Sequence, residues 1–321
     1  MKINKINNYQ VFSADNKSKD AKTGEYSDPL MRWPLRGAAF TNEVGEALRP
    51  LIGGYATLSW APALLYIGAD VYDKYKNNQT EYSPNSQRCL KQAIFQGMAS
   101  ILLPLVAVKF GQNAFAQFGR FSKDKLSENV KEHVLSTAKE FVANGKMHKH
   151  KNNDNACREE FTEIIKNKLE FKKHQRFLNN PLNKITTYID EKFSNHVQNI
   201  NKNEKEKEFA SKTINELINL RKNLINPDTK MKTSKQYEKY INYLKSGQTE
   251  NVAIKTTLTD SLNKKGLSGK FIKTLGGFIT LGFAIQPIDR FVENILVGKY
   301  VNNGLEKINN YNHREIIKNL S

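Results

Sequence analysis

Charged side chains stand at both ends of a long uncharged run near the start of the chain. Glu43, Glu46 and Arg49 repeat at i, i+3 and i+6, which places all three on one face of a helix. Asp70 and Asp73 repeat at i, i+3 just after the run. Carboxylates at the edge of an apolar helix could handle protons, and they could equally cap the helix or join ion pairs. Both interpretations stay open from the sequence.

A second charged group interrupts the last apolar part of the chain. Asp289 and Arg290 are neighbours and cannot face each other on a helix, whereas Arg290 and Glu293, at i and i+3, can. Ionisable groups at membrane depth normally pair with one another or face the interior of a helix bundle. We therefore expect Arg290 or Asp289 to meet the charged face of the first helix.

Other chemistry has little support in the sequence. His148 and His150, with Cys157 seven residues further on, match no zinc-ligand spacing. The Gly53-Gly54 and Gly276-Gly277 pairs lie inside apolar runs, without the lysine or the strand that a phosphate-binding loop needs. No nucleophile has a base at a recognisable spacing, so no enzyme activity, cofactor or metal is expected.

Three uncharged runs must position these groups. Residues 50–69 form a run of 20 residues, residues 92–108 one of 17 and residues 274–288 one of 15. A 20-residue helix is about 30 Å long, which matches the apolar thickness of a bilayer. The glycines and prolines inside these runs would weaken a helix in water but are common in membrane helices. The runs predict three membrane-embedded helices, the last continuing towards Gly298.

The middle of the chain has a different composition. The formal net charge is +18, and lysines are dense between the second and third runs. Apolar residues recur there at helical spacing, for example Phe161, Ile165 and Leu169. We predict about five short helices in a soluble insertion whose charge either attracts anionic lipid or solvates ordinary helix faces. Nucleic acid is not expected as a partner, because both signs of charge are interspersed and no nucleic-acid motif occurs.

The sequence therefore predicts an all-α protein with about three transmembrane or membrane-embedded helices and a soluble helical insertion. Cys89 and Cys157 are the only cysteines, which favours a reducing compartment over a disulfide framework. Trp33 and Phe40, beside arginines, suit a membrane interface.

The predicted parts are a disordered polar tail (1–30), the first two membrane helices (31–119), the basic insertion (120–269), the last membrane helix (270–300) and a polar tail (301–321).

Several short charged motifs around the apolar runs resemble one known family. They are NEVGEALR at 42–49, ADVYDKYK at 69–76, Ser83-Pro84 with Arg88, QGMAS with Pro104, and QPIDRFVENIL at 286–296. In this order and spacing they are similar to the mitochondrial fission process protein family, over about residues 35–118 and 270–299. The family's core is compact, so the block of about 150 residues between these parts reads as an insertion.

The resemblance implies a small, non-enzymatic integral protein of an inner membrane that promotes membrane fission. The implied location is the mitochondrial inner membrane, or a bacterial inner membrane if the source is bacterial, since the first residues lack a convincing import signal. Expected partners are the lipid bilayer, including anionic lipids, and proteins that contact the insertion. The alternatives are a small transporter or channel component and a basic helical binding module. The motifs and intramembrane charges give these candidate site residues: Asn42, Glu43, Glu46, Arg49, Asp70, Asp73, Lys74, Pro287, Asp289 and Arg290.

Overall fold

The computed structural model describes residues 30, 35–76, 85–121, 124–175, 202–308 and 310–311. Within those ranges all regular secondary structure is helical, which confirms the all-α prediction. Nearly all of the predicted polar tail at 1–30, the interfacial Trp33 and the Ser83-Pro84 motif lie outside the described residues, as does most of the C-terminal tail.

The first described part of the chain forms five α-helices and three short segments that are not α-helical. They are α1 (Leu35–Ala38), α2 (Thr41–Ile52), a 3-10 segment (Gly53–Ser59), α3 (Trp60–Lys76), α4 (Asn85–Gln96), a π-helical segment (Gly97–Leu102), α5 (Leu103–Ala116) and a 3-10 segment (Gln117–Phe121). Helix α2 begins at Thr41, just before the charged face of Glu43, Glu46 and Arg49.

The remaining helices form the basic part and the last apolar part of the chain. They are α6 (Glu128–Ala143), α7 (Lys146–Lys149), α8 (Asp154–Gln175), α9 (Lys202–Ile225), α10 (Thr229–Lys232), α11 (Lys235–Lys245), α12 (Glu250–Phe291) and a π-helical segment (Val292–Val301). Helix α12 runs for 42 residues through position 270, where the sequence predicts a domain boundary. The predicted boundaries themselves stay a prediction.

Three helical stretches are long and apolar enough to cross a membrane, as the uncharged runs predict. They span Thr41–Lys76, Ser86–Phe121 and Glu250–Ile308. Only 17%, 22% and 22% of the residues in their most apolar windows are buried. Their apolar side chains therefore face outward along most of each window.

Each of the three stretches contains a turn that is not α-helical. Pro50 lies inside α2, and Gly53 directly after that helix has φ = 60°, a left-handed conformation that favours glycine. The π-helical segment Gly97–Leu102 lies just before Pro104, and Val292–Val301 follows Pro287. A proline removes one backbone donor and clashes with the preceding turn, which explains the irregular segment before Pro104.

The chain divides into two compact units. Unit 1 contains the described residues among 1–45, 56–105 and 281–321, and unit 2 those among 46–55 and 106–280. In unit 1, α3 packs against α1 and α4, and α4 packs against the last π-helical segment.

In unit 2, α6, α8 and α9 pack against one another around a continuous apolar core. Phe141 and Phe161 are fully buried at its centre, with ring centroids 5.4 Å apart and nearly perpendicular rings. Ile214, Ile218 and Leu258 complete this part of the core. The apolar spacing in the basic sequence is therefore that of packed helices.

Candidate functional site

Polar side chains on the apolar helices form two groups, one in each unit. In unit 1, Asp70 of α3 is buried and accepts hydrogen bonds from the side-chain amides of Gln92 and Gln96 on α4. The Gln96 Nε2 to Asp70 Oδ2 distance is 2.5 Å, and Gln96 Oε1 accepts from Ser100 Oγ at 2.6 Å. A buried carboxylate thus has neutral partners on the neighbouring helix.

Lys74 lies at the end of this group and not inside it. Its Nζ is 4.0 Å from Asp70 Oδ1 and 3.6 Å from Asp73 Oδ2. Asp70, Asp73 and Lys74 are therefore brought together as the charged exit of α3, where a lysine also suits the negative end of the helix dipole.

Asn42 completes the unit 1 group through a backbone carbonyl. Its Nδ2 donates to the carbonyl oxygen of Ser100 at 2.8 Å. Ser100 belongs to the π-helical segment and lies four residues before Pro104. Pro104 has no backbone N–H, so it cannot donate to the Ser100 carbonyl as residue i+4 does in an α-helix. In lipid an unsatisfied carbonyl costs several kcal/mol, and a side chain from a neighbouring helix can replace the missing donor.

The same arrangement occurs independently in unit 2. Glu46 lies four residues before Pro50 in α2, so the proline leaves the Glu46 carbonyl without its helical donor. Gln112 Nε2 of α5 donates to that oxygen at 2.8 Å and reaches the Ala47 carbonyl at 3.3 Å. Gln112 is buried, so this contact is shielded from solvent.

The Glu46 side chain forms an ion-pair cluster beside this contact. Arg49 contacts both carboxylate oxygens, with Nε 2.7 Å from Oε2, and Lys109 Nζ lies 3.6 Å from Oε2. Glu46 is buried, and a buried carboxylate with two cationic partners is satisfied electrostatically. Of the interpretations that the sequence leaves open for these charges, Glu46 and Arg49 thus adopt the ion pair.

A close helix crossing lies in the same unit. A Cβ added to Gly276 of α12 would be 2.5 Å from the Phe115 Cβ and 2.6 Å from the Gly111 carbonyl oxygen. A Cβ added to Gly111 would be 2.4 Å from the Gly276 carbonyl oxygen. The backbones of α5 and α12 therefore approach closely at glycines, as small residues allow in membrane helix pairs.

Glu43 and Asp289 are placed together in unit 1. Glu43 is buried and lies within electrostatic range of Asp289, which itself lies within range of Glu293 and Arg36. Asp289 is thus near the charged face of the first helix at Glu43, where two carboxyl groups can both be ionised only at an electrostatic cost.

Arg290 behaves differently from its predicted role. It is exposed and forms no ion pair with Glu293, nor with any other residue in the described ranges. The wider π-helical turn that begins at Val292 changes the angle between positions i and i+3, which moves Glu293 away from the Arg290 face. Pro287 is likewise exposed.

The histidine and cysteine residues of the basic part do not converge on a site. His150 hydrogen-bonds Glu160, His148 is exposed, and Cys157 donates to the Met147 sulfur at 3.6 Å. Burial raises the pKa of the Cys157 thiol. Among the residues that the structure describes, no three histidine, cysteine or carboxylate side chains are close enough to hold a metal ion.

Protein-family models, curated proteins and solved structures give no match to this chain. The resemblance to the mitochondrial fission process protein family stays a prediction on the motifs alone. Gln92, Gln96, Ser100 and Gln112 were missed as site residues in the sequence. The signal for the first three was their spacing at i, i+4 and i+8 on one face of an uncharged run.

Proposed function

We propose that the chain is a non-enzymatic integral membrane protein that shapes or organises a bilayer, as the resemblance to the mitochondrial fission process protein family implies. The observation that carries this proposal is the outward-facing apolar surface of three helices of spanning length. An exposed apolar surface of this extent needs lipid or a partner to cover it.

The mechanism rests on helices that are irregular and yet satisfied internally. Pro50 and Pro104 break the regular hydrogen-bond pattern, and amide side chains from neighbouring helices bond the freed carbonyls. Such helices can remain in lipid while tilting or bending. Uncharged runs of 15 to 20 residues around these irregularities create hydrophobic mismatch, which deforms the surrounding bilayer.

The basic helices supply the second part of the proposed mechanism. In unit 2, lysine-rich helices pack around an apolar core, and the same unit includes parts of the apolar stretches. Basic residues next to a membrane span attract anionic lipids by about 1 kcal/mol each. The proposed location is an inner membrane, mitochondrial by resemblance or bacterial if the source is bacterial, and proteins that contact the basic helices are further proposed partners.

Alkaline carbonate extraction tests membrane integration. Membranes from cells that make the tagged full chain should keep the protein in the pellet. Leu65 and Phe283 are strongly exposed on two of the apolar stretches, so Leu65→Asp with Phe283→Asp should release it, because an aspartate at mid-span costs about 2.5–3.5 kcal/mol.

Ile225→Asp is the matched control, because Ile225 is also exposed but ends a helix of the basic part. This variant should stay in the pellet. Release of the unmodified chain by carbonate would contradict the proposal.

Reconstitution tests the shaping activity itself. Full-length protein in vesicles of neutral and anionic phospholipid should convert large vesicles to tubules or smaller vesicles as the protein-to-lipid ratio rises, by electron microscopy. Unchanged vesicle size at every ratio, with the protein correctly inserted, would exclude membrane shaping.

A transporter or channel component is the second candidate, and the Asp70 group favours it. Asp70, Gln96 and Ser100 form a chain of hydrogen bonds on helices that could span a membrane. Vesicles loaded with a pH-sensitive dye would detect proton flux. Flux abolished by Asp70→Asn, without vesicle remodelling, would favour transport over shaping.

A further inference from the structure

A cavity of about 310 Å³ lies in unit 2, lined by α6, by the 3-10 segment before it and by residues 265–272 of α12. Its walls carry both apolar and charged side chains, among them Phe118, Leu135, Lys139 and Lys270. None of its lining residues belongs to the Asp70 group or to the Glu46 ion-pair cluster. Its charges show which kind of ligand it suits.

Every acidic side chain in the wall already has a cationic partner. Asp124 and Glu128 share Lys131, at 3.8 and 3.0 Å, and Glu132 pairs with Lys273. The carboxylates are therefore neutralised within the protein, and they leave no free negative charge to attract a cation.

Two lysines in the cavity wall have no anionic partner among the described residues. Lys265 pairs with Glu216 at 2.6 Å, whereas Lys139 and Lys270 form no ion pair or side-chain hydrogen bond with any described residue. Both are partly buried, and the charge of Lys270 acts on Lys139. Burial first, and then Lys270, lowers the pKa of Lys139, while Glu132 raises it. Two unpaired ammonium groups beside one cavity repel each other until an anion lies between them.

Neutral groups in the wall would assist an anion. The Ser268 hydroxyl lies at the cavity, whereas the Ser136 hydroxyl there already donates to the His133 carbonyl oxygen at 2.9 Å. Gly266 brings the α12 backbone to the cavity without a side chain. Phosphate oxygens accept hydrogen bonds from ammonium and hydroxyl groups together, so the two lysines with Ser268 form a suitable donor set.

The position along the chain indicates the source of that anion. Lys270 lies four residues before the uncharged run 274–288, and Phe118 follows the uncharged run of the second apolar stretch. Phe118 is half exposed at the cavity, beside charged side chains. Aromatic and lysine side chains at the end of an apolar helix are typical of headgroup depth in a membrane.

We propose that this cavity binds a phosphate group, presented by an anionic phospholipid headgroup, between Lys139 and Lys270. The lipid source rests on the proposed membrane function, whereas the phosphate chemistry rests on the cavity alone. The site would fix one lipid at the junction of the apolar helices and the basic helices of unit 2.

Binding to the full-length protein in neutral detergent tests the proposal. The probes are short-chain phosphatidylglycerol, short-chain phosphatidylcholine and inorganic phosphate, each titrated by calorimetry. We expect phosphatidylglycerol to bind most tightly and Lys139→Gln with Lys270→Gln to weaken it about tenfold or more.

Lys230→Gln with Lys245→Gln is the matched control. It removes the same charge from two exposed lysines of unit 2 that do not line the cavity. Its affinity should stay within about twofold of the unmodified chain, because distant exposed charges are screened. Equal weakening in both double variants would overturn the proposal, since binding would then follow net charge alone.

Thermal unfolding adds a second measurement that a merely damaged fold would not reproduce. Without ligand, the Lys139→Gln and Lys270→Gln variant should melt at the same or a higher temperature, because the lysine repulsion is removed. With phosphatidylglycerol, only the unmodified chain and the control should gain stability. A variant that still gains stability with the lipid would contradict the site.

The probes separate the two sources of phosphate. Tight lysine-dependent binding of inorganic phosphate, with no preference for phosphatidylglycerol, would overturn the lipid source and keep the phosphate site. Release of the chain in the carbonate experiment would end the proposed membrane function, yet lysine-dependent binding in detergent would still stand. The two failures are therefore distinguishable.

Discussion

In each unit a side-chain amide donates to a backbone carbonyl four residues before a proline, but the contact satisfies its polar groups more completely in unit 2. In unit 2, Gln112 bonds the carbonyl freed by Pro50 and also reaches the next carbonyl. In unit 1, Asn42 bonds the carbonyl before Pro104, but its own Oδ1 is buried without a hydrogen-bond partner among the described residues. An unsatisfied buried acceptor costs about 1–3 kcal/mol.

The surroundings of the two contacts differ in the same direction. Unit 2 adds the Glu46 ion-pair cluster, a glycine crossing and a continuous apolar core. Unit 1 holds a buried Asp70, the neighbouring carboxyl groups Glu43 and Asp289, and the two π-helical segments found in the described residues. Local opening should therefore be easier in unit 1, and unit 2 should act as the rigid part of the molecule.

A substitution at the close contact between Gly276 and Gly111 should give the largest loss of stability. Gly276→Ala should destabilise the protein by about 1–3 kcal/mol or more, because its Cβ would meet the Gly111 backbone, which cannot rotate away. Thermal unfolding in detergent measures the loss.

Gly282→Ala in the same helix is the control. No atom lies within 4 Å of a Cβ at Gly282, and alanine favours helix over glycine by about 1 kcal/mol, so this variant should be neutral or more stable. Equal losses at the two positions would mean that the crossing is not close.

Removal of the Gln112 contact should give the next largest loss of stability. Gln112→Ala should cost about 1–3 kcal/mol, because the Glu46 carbonyl is left without a donor. In a Pro50→Ala background the backbone N–H returns, so the same change should cost less. A double-mutant cycle in thermal unfolding measures this coupling. Additive losses would indicate that the glutamine does not replace the proline's missing donor.

The matching test in unit 1 should give a smaller loss. Asn42→Ala removes a donor but also removes an unsatisfied buried oxygen, so the net cost should be about 1 kcal/mol or less. Pro104→Ala should again reduce it. If Asn42→Ala proves more damaging than Gln112→Ala, the ranking of the two units is reversed.

The sequence could predict the helices but not the partners of their polar groups. Twenty uncharged residues before Asp70 indicate a spanning helix whatever surrounds it, since length and polarity decide that alone. Prolines also mark which carbonyls lack a donor where the helix is α-helical, because the acceptor there lies four residues earlier. Which side chain replaces the donor depends on how two helices are paired and rotated, and one sequence does not contain that.

The charged residues illustrate the same limit. Glu46 and Arg49 are three residues apart on one helix, so their ion pair follows from helix geometry. The same spacing fails at Arg290 and Glu293, because a π-helical turn begins between them. Local rules therefore hold where the backbone is regular and fail at the irregular turns, which are concentrated in unit 1.

The loss of stability of unit 2 at low pH is the smallest effect that we expect. Glu160 pairs with Lys146 at 2.7 Å and with His150, and these hydrogen bonds lower its pKa from 4.5 to about 2. A carboxyl whose pKa is lowered by folding contributes stability above its unfolded pKa and loses it as the pH falls towards the folded value. The contribution should therefore disappear between about pH 4.5 and pH 2.

Glu160→Gln isolates this effect from the other acidic groups. At neutral pH the variant should melt at a slightly lower temperature than the unmodified chain, because the carboxylate is partly exposed and solvent weakens its ion pairs. Below about pH 3 the two melting curves should converge, since the carboxyl is then losing its charge. A constant difference across the whole range would mean that Glu160 stabilises unit 2 by packing and not by charge.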